Sequence, residues 1–405
     1  MIPQVTFTDD ERRRIAEHLP KAKEAFLANV KQFNQYPTPL LLAGDCYTGI
    51  WLEHNQDNLF LADYDPQAAW ASQDVFMQYQ REDGLLPFNF ALKYGTNEFF
   101  KTPANYFQVQ CVYPFTRCAL EVAKKTKRPT SDFEKIYKAG SRYDAWLSTA
   151  RNKSGKGLVE MYCEYDTGHD NDPRVTDDGI PHSCPQNDAA NMPDLPIMPV
   201  LSVDLSAMCY GNRMALAELA DYLGKPAEAA VWREKAAEIQ QLIRQYLFDP
   251  QDEFYYDVDS RGFRKYRTEH VTRLFLNKVL TQNEFDRVYD RYFTTPGKEF
   301  LPAFPFPSVS VDDPHFVKAC PRNSWGSNTQ GLTVLRATMW MPYYHREDDM
   351  LGLLSIWLKA AINNESPYPQ EINPFTGRPP ANTCNYTPSI ILFLKAAELL
   401  LGLKP

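Results

Sequence analysis

The chain has 405 residues, of which 44% are hydrophobic, 13% aromatic and 23% charged, and its formal net charge is -8. This composition excludes a short peptide or a disordered tail, and no apolar run approaches the roughly 20 residues that span a bilayer. Mild acidity without a Lys/Arg-rich run argues against a nucleic-acid partner, because neutralising phosphates requires clustered cations. We therefore expect a protein with neither a nucleic-acid partner nor a membrane span.

The N-terminus and the cysteines indicate the compartment. The opening sequence MIPQVTFTDDERRR places charges where a signal peptide requires an apolar stretch, which predicts a cytoplasmic protein. Eight cysteines are spread thinly and form no C-x-x-C pair. That spacing favours buried free thiols over a zinc site or a disulfide scaffold.

Helical patterns recur from end to end. Capping-box patterns at Thr8–Glu11 and Thr281–Glu284 precede apolar residues at helical spacing and predict two helix starts. The clearest pair of helices begins near Asp204 and runs to Leu247, with Gly224 and Pro226 marking the turn of an antiparallel hairpin. Similar stretches occur near 66–81, 104–126, 131–150, 328–342, 346–363 and 386–402.

The spacing of these stretches predicts the architecture. A helix with its connection takes about 30 residues here, so the chain holds roughly a dozen helices. Antiparallel pairs in that number fit an all-α, (α/α)6 toroid, and the absence of a repeated sequence disfavours an α-solenoid. We expect one catalytic domain over residues 1–405, with an N-terminal helix and lead-in over 1–40. The long proline-rich connections 163–203 and 301–325 are where a site would be built.

The first candidate cluster is the segment from Glu164 to Arg174. It holds four carboxylates, a histidine and an arginine within eleven residues. Such crowding raises the pKa of one carboxyl by like-charge repulsion, while an arginine holds another ionised, as acid catalysis requires. A solvated acidic turn is the plainer alternative. A calcium loop fails, because Arg174 stands where a third oxygen ligand is required.

The second cluster, from Glu365 to Gly377, is a loop punctuated by prolines that presents Glu365 and Glu371 beside aromatic rings. Inverting hydrolysis of a glycosidic bond needs one carboxylic acid on the leaving oxygen and one carboxylate on a water opposite, about 6.5–9.5 Å apart. Two distant loops that converge on one mouth would supply this pair.

Several short motifs occur in an order that resembles one enzyme group. They are W-L-E-H-N-Q-D at 51–57, Q-R-E-D-G-L-L-P at 80–87, G-H-D-N-D-P-R at 168–174, V-D-L-S-A at 203–207 and N-P-F-T-G at 373–377. Together they resemble the catalytic domain of glycoside hydrolase family 63 and its relatives, the trehalases and the bacterial mannosylglycerate and glucosylglycerate hydrolases. The resemblance covers residues 40–402. It implies an (α/α)6 toroid, an inverting α-glycosidase mechanism and no cofactor.

Carried over by position, the resemblance assigns the catalytic pair. Asp170 matches the family's general acid. Asn171 and Arg174 match its neighbours in the motif, and the resemblance implies that they bind the substrate. The family's base position, four residues before the proline of P-x-T-G, is Gln370 here, and glutamine cannot accept a proton from water. We therefore predict Glu371 as the base, with Glu365 in reserve.

Other residues are candidates for binding the sugar, and each has a structural alternative. Asp57 and Gln80 lie in matching motifs, although Asp57 would also serve as a helix N-cap. The remaining candidates are aromatic rings that suit the C–H face of a pyranose but are more often core: Trp51, Trp325, Tyr368 and Phe375. His169 and His182 have no third ligand at metal-binding spacing, so we expect no metal.

We predict an exo-acting, inverting α-glycosidase for a small α-glucoside or α-mannoside of the disaccharide or glycosylglycerate type. A small carbohydrate is then the only expected partner. The alternatives are a sugar isomerase or epimerase, which helical toroids also support, and a non-catalytic carbohydrate-binding protein. Fold alone does not separate these functions.

Overall fold

The computed structural model describes residues 1–95, 100–110, 112–318, 324–381 and 384–404. The helices in these ranges are α1 (Asp9–Ala28), α2 (Asn58–Leu61), α3 (Pro66–Gln78), α4 (Phe115–Lys125), α5 (Thr130–Ala150), α6 (Pro173–Thr176), α7 (Val203–Tyr222), α8 (Pro226–Leu247), α9 (Thr272–Leu276), α10 (Gln282–Tyr292), α11 (Gly331–Trp340), α12 (Glu347–Asn363) and α13 (Thr387–Leu401). The strands are β1 (Val30–Lys31), β2 (Leu40–Leu41), β3 (Gly49–Trp51), β4 (Asn89–Ala91), β5 (Ala104–Asn105), β6 (Glu160–Met161), β7 (Val200–Leu201), β8 (Phe248–Asp249), β9 (Phe254–Tyr255), β10 (Val258–Asp259), β11 (Gly262–Phe263), β12 (Thr329–Gln330) and β13 (Glu371–Ile372).

The helices form two concentric rings. The inner ring closes through successive contacts from the 3₁₀ segment Leu52–Asp57 with α2 to α4, α7, α9, α11 and α13, which contacts Leu52–Asp57 again. Outer helices α1, α3, α5, α8, α10 and α12 alternate with the inner elements along the chain. The predicted helical toroid is confirmed.

Burial separates the two kinds of helix. Inner helix α7 is buried on nearly every side, whereas outer helix α8 buries a single stripe that includes Trp232, Ala236, Ile239 and Ile243 at three- and four-residue steps. A helix with one apolar stripe covers a core, and a helix buried all round lies inside one. None of the helices in the described ranges combines the length and the hydropathy that a bilayer crossing requires.

The alternation of inner and outer helices also determines on which face of the toroid the candidate site lies. Because every inner helix runs in the same direction, the N-termini of the inner helices share one face of the toroid, which we call the N-terminal face. Short strands precede these N-termini: β3 before Leu52, β7 before α7 and β12 before α11. They pair in the sheets β3–β4–β5, β6–β7–β10–β11 and β12–β13, whereas β1–β2 and β8–β9 form separate pairs.

Local signals were read correctly at most helix ends. Thr8 and Thr281 form the predicted capping boxes, and α7 and α8 form the predicted hairpin. However, α7 begins at Val203 with Ser202 as its N-cap, one residue before the predicted start near Asp204. The predicted helix over 104–126 is also too long: residues 104–105 form β5, and α4 starts after Pro114.

The cysteine prediction is wrong in part. Cys46 and Cys384 form a disulfide across 338 residues of sequence. Both lie in connections before inner elements, which the sequence pattern did not relate to each other. Cys163, Cys184 and Cys209 are buried free thiols as predicted, and Cys118 is also buried. Cys111 and Cys320 lie outside the described residues.

Candidate active site

A cavity of about 220 Å³ contains Asp170 and Trp51 among its lining residues. The other lining side chains are three phenylalanines, a tyrosine and two glutamines: Phe88, Phe100, Phe107, Tyr165, Gln108 and Gln110. Aromatic faces beside a carboxyl and two amides suit a ring with an apolar C–H face and polar hydroxyls. A larger cavity of about 790 Å³ lies beside Ile2 and α12, but its described lining residues include no carboxylate.

The loop that carries Asp170 is fixed from below by Asp166. Its Oδ1 accepts hydrogen bonds from Arg151 Nη2 (3.0 Å) and Val109 N (2.9 Å), and its Oδ2 accepts one from Tyr162 N (2.7 Å). Asp166 and Arg151 are fully buried. A buried pair supported by further hydrogen bonds holds its geometry firmly. The sequence cluster is therefore not a solvated acidic turn, since one of its carboxylates anchors the loop.

Close approach to Glu53 shapes the turn before Asp170. Gly168 has a φ of 73°, and a Cβ atom there would lie 2.6 Å from Glu53 Oε2. Only glycine fits this position. Asn171 also has a positive φ, of 64°, and its backbone N donates to Glu164 Oε1 (2.9 Å). The positive φ angles of Gly168 and Asn171 therefore place Asp170 between two tight turns.

Glu371 reaches the same face from the other cluster. It lies in β13, paired with Gln330 of β12, and is 1% exposed. Gln330 Nε2 donates to Glu371 Oε2 (2.7 Å), and Ser324 N donates to the same oxygen (2.8 Å). The next amide, Trp325 N, donates to the carbonyl oxygen of Asp170 (3.0 Å). Ser324 and Trp325 are adjacent in the chain, and successive Cα atoms are about 3.8 Å apart. The N–H groups of two neighbouring residues therefore bond to the side chain of Glu371 and to the backbone of Asp170, the two predicted catalytic residues.

A buried charged network underlies Asp170. Arg174 Nη2 lies 2.7 Å from His169 Nδ1, and His169 Nε2 lies 2.7 Å from Glu269 Oε1. Arg273 Nη2 also lies 2.8 Å from His169 Nε2, so the imidazole is held between two arginines and a carboxylate. Burial lowers the pKa of His169 to about 4, which keeps the ring neutral. Arg273 also donates to Glu269 Oε1 (2.7 Å).

Comparison with known proteins identifies the family of this chain. The family model of the mannosylglycerate hydrolase MGH1-like glycoside hydrolase domain matches residues 58–387. The chain belongs to this glycoside hydrolase family.

Solved structures of the same fold include the family 63 mannosylglycerate hydrolase of Thermus thermophilus in complex with glucose. It is 16% identical, with a TM-score of 0.72 over 93% of this chain and 99% of that one. Neutral trehalase from Saccharomyces cerevisiae is 12% identical, with a TM-score of 0.66 over 93% of this chain and 79% of that one. The resemblance to family 63 and its relatives is thereby confirmed. Family membership favours hydrolysis over the isomerase and non-catalytic alternatives.

Among the polar residues, sequence reasoning missed Gln108 and Gln110, which line the cavity, and Glu53, which Gln110 contacts. Gln110 Nε2 donates to Glu53 Oε2 (3.1 Å), and Gln108 Nε2 donates to Gln110 Oε1. Gln108 Oε1 is buried and has no hydrogen-bond partner among the described residues. Gln110 holds a φ of 39°, a strained value that is typical of functional sites. The Q-x-Q segment has no helical or strand periodicity in the sequence. Only the positive φ of Gln110 in the structure marks it as unusual.

The structure corrects the prediction that Arg174 contacts the sugar. Arg174 is fully buried; Nη1 donates to Asp257 Oδ2 (2.7 Å) and Nη2 donates to Asp204 Oδ2 (2.9 Å). Its attraction keeps the pKa of Asp204 low against the opposing effect of burial. Arg174 thus ties the Asp170 loop to the start of α7, and Asp204 serves as its partner.

Asp57 is also placed away from Asp170. It ends the 3₁₀ segment that begins at Leu52, makes no side-chain cap for α2, and lines a separate cavity. Four residues along a 3₁₀ helix rotate a side chain by about 120°. Glu53, four residues earlier, therefore faces Gly168 while Asp57 faces elsewhere. The prediction of Asp57 as a sugar ligand at this site is corrected.

Gln80 and Tyr368 are structural residues. Gln80 Nε2 donates to Gly84 O (2.8 Å) and Ala139 O (2.9 Å), so its amide ties the 80–87 loop to α5. Tyr368 is 4% exposed and packs edge-on against Phe393. Both predictions of sugar contact are corrected, because these polar and aromatic groups are already used inside the protein.

The remaining predicted residues differ in exposure. The ring of Trp325 is buried against His169, with centroids 4.8 Å apart, and is not among the described residues that line the cavity. Phe375 is 55% exposed, and Asn171 and Glu365 are also exposed. Contact of Asn171 or Phe375 with the sugar stays a prediction, whereas Trp325 supports the network beneath Asp170.

Two groups of possible metal ligands lie within the described ranges, outside the cavity. In the first, Asp166 is already committed to Arg151, with Cys163 and Cys184 as neighbours. In the second, the sulfur atoms of Cys46 and Cys384 are bonded to each other. His182 contacts Glu164 rather than His169. The expectation of a metal-free and cofactor-free site stays a prediction.

Proposed function

We propose that the protein is an exo-acting, inverting α-glycosidase for a small α-glucoside or α-mannoside of the disaccharide or glycosylglycerate type. The observation that carries this proposal is the Ser324–Trp325 peptide step, whose consecutive amides hold the carboxylate of Glu371 and the backbone of Asp170. Two loops distant in sequence thereby lie beside the same peptide, which supports the pairing of Asp170 with Glu371.

In this proposal Asp170 protonates the leaving oxygen and Glu371 deprotonates the attacking water. Asp170 shares its cavity with aromatic rings, and two donors, Ser324 N and Gln330 Nε2, hold Glu371 Oε2 in place. These contacts support the assignment of the two roles.

The dimensions of the cavity support exo action. Its volume of about 220 Å³ lies below the several hundred Å³ typical of drug-sized ligand sites. Such a space suits one sugar ring, with the aglycone directed outward. The loops 163–203, 301–325 and 365–384, proline-rich in sequence, would close the pocket around that terminal sugar.

Replacing either catalytic group tests the assignment. We expect Asp170→Asn and Glu371→Gln each to reduce kcat by about 10²–10⁴-fold, the contribution of one general acid or base, without changing the thermal unfolding midpoint. The assay is hydrolysis of α-mannosylglycerate, α-glucosylglycerate and α-linked disaccharides. Glu365→Gln, at an exposed position, is the matched control. Near-full activity in Glu371→Gln together with loss in Glu365→Gln would make Glu365 the base.

Product stereochemistry tests the mechanism separately. We expect NMR of the first turnovers to show a β-sugar released from an α-substrate, because a base-activated water attacks the face opposite the leaving group. Release of the α-anomer would overturn the acid–base pair while leaving glycosidase activity intact.

A further inference from the structure

A second cavity, of about 330 Å³, lies between α11 and α13 and is closed on its inner side by the end of the 3₁₀ segment and by α2. We call it the α11–α13 cavity. Its lining on α13 begins at Ile391 and its lining on α11 begins at Leu335. Both lie four residues into their helices, so the cavity starts roughly 6 Å below the N-terminal face. It is thus separate from the cavity that contains Asp170.

The floor of the α11–α13 cavity holds two unsatisfied acceptors. Asp57 is 1% exposed and Gln56 is 4% exposed, and Gln56 Nε2 donates to Asp57 Oδ1 (2.9 Å). Asp57 Oδ2 and Gln56 Oε1 have no hydrogen-bond partner within the described part of the chain. Leaving a buried acceptor unpaired is unfavourable, so these atoms point to donors supplied from outside the protein.

The wall of the cavity supplies the complementary group. Lys395 is largely enclosed, and its Nζ donates to Thr338 Oγ1 (3.1 Å). An ammonium group carries three donors, so it can serve an acceptor in the cavity as well. Leu335 and Ile391 are buried apolar residues of the same wall. The cavity therefore combines acceptors at its floor, a donor on its side and an apolar surface between them.

We propose that the α11–α13 cavity binds a neutral polyol of up to monosaccharide size. A hydroxyl group both donates and accepts, so one such molecule can donate to Gln56 Oε1 and Asp57 Oδ2 and accept from Lys395. The lining carries charges of both signs, with Asp63 and Glu398 opposing an anion and Lys125 and Lys395 opposing a cation. The volume falls within the range of small-molecule sites.

Crystals of the full chain soaked in D-glucose or glycerol test the proposal directly. We expect ordered ligand density between α11 and α13 with hydroxyl groups on Gln56 and Asp57. Density for water alone, at a sugar concentration that fills the Asp170 cavity, would overturn it. Because turnover is not measured, this result is independent of the proposed glycosidase function.

Calorimetric titration with the same two probes tests the role of the lysine. In a Trp51→Ala background, which removes an aromatic face from the Asp170 cavity, we expect the remaining binding to weaken at least about tenfold in Lys395→Met. Met339→Trp, which fills the α11–α13 cavity, should abolish that binding. Lys124→Met, at an exposed lysine paired with Glu218, is the control and should bind normally. Equal affinity in Lys395→Met and its parent, with circular dichroism showing both folded, would refute the site.

Discussion

Glu53 and Asp57 show how two carboxyl groups of one segment acquire different roles. Both are buried, and burial raises the pKa of each, that of Asp57 to about 7. Glu53 has Arg336 3.5 Å away and the amide of Gln110 as neighbours. Asp57 has the side chain of Gln56 alone as a hydrogen-bond partner among the described residues. The 3₁₀ geometry directs one to the active site and the other to the α11–α13 cavity.

The raised pKa of Asp57 predicts a pH-dependent stability difference. The folded state binds this proton more tightly than the unfolded state, so the free energy of unfolding falls as pH rises from about 4 to about 7. An asparagine side chain at this position does not titrate. We therefore compare the free energy of unfolding of Asp57→Asn with that of the parent at each pH. We expect this difference to be more favourable to the variant at pH 8 than at pH 4, by about 1–4 kcal/mol, as measured by urea denaturation at both pH values. Asp194→Asn, at an exposed carboxyl, should show no comparable gain, and equal behaviour of the two variants would contradict the prediction.

At the scale of elements, one arginine joins three pieces of structure. Arg174 lies in α6, while its partners Asp204 and Asp257 lie in α7 and just before β10. Asp257 Oδ1 also accepts the backbone N–H of Val203 (2.8 Å). The orientation of the Asp170 loop thus depends on an ion-pair network that is formed only when α7 and the connection between β9 and β10 are in place.

Removing this arginine should destabilise the whole protein. Arg174→Met leaves two buried carboxylates without their partner, and we expect a loss of about 3–5 kcal/mol in unfolding free energy. Arg261→Met is the matched control, because Arg261 is also paired with two aspartates, Asp178 and Asp259, but is 57% exposed at its side chain. Exposed pairs contribute about 1 kcal/mol or less. Chemical denaturation of both variants measures the contrast, and equal losses would show that burial of the network is not what matters.

At the scale of the molecule, the ring is closed where the chain's first and last helices meet. Outer helix α1 packs against inner helix α13. Asn29 Nδ2 donates to Thr387 Oγ1 (2.9 Å) across this seam. The Cys46–Cys384 disulfide lies close by in sequence, and Tyr47, next to Cys46, donates to Gln370 Oε1 (2.7 Å). The seam therefore adjoins the loop that carries Glu371.

The disulfide should stabilise the closed ring. A cross-link over 338 residues restricts the unfolded chain, and removal of a native disulfide typically costs about 2–5 kcal/mol. We expect Cys46→Ser/Cys384→Ser to lower the thermal midpoint, and dithiothreitol to lower that of the parent but not of the double variant. An unchanged parent midpoint in reductant would contradict the cross-link. Exposed disulfides are typical of oxidising compartments, and this observation opposes the cytoplasmic expectation.

The sequence by itself determined the helical toroid and the glycoside hydrolase family. Helix periodicity, caps and the Gly224–Pro226 turn depend on neighbouring residues, so they can be predicted without knowledge of the fold. The motif around Asp170 was legible for the same reason, because its loop is built by local turns at Gly168 and Asn171.

Only the tertiary structure decided which side chains face the cavity. Gln108 and Gln110 carry no periodic signal, and the pairing of Cys46 with Cys384 depends on closure of the ring. Arg174 and Gln80 have the chemistry of sugar ligands, yet Arg174 Nη1 and Nη2 and Gln80 Nε2 donate to partners distant in sequence. A hydrogen-bonding group can bind substrate only when the fold leaves it without a sufficient number of partners. Whether it does depends on the packing of the whole molecule and not on any one segment.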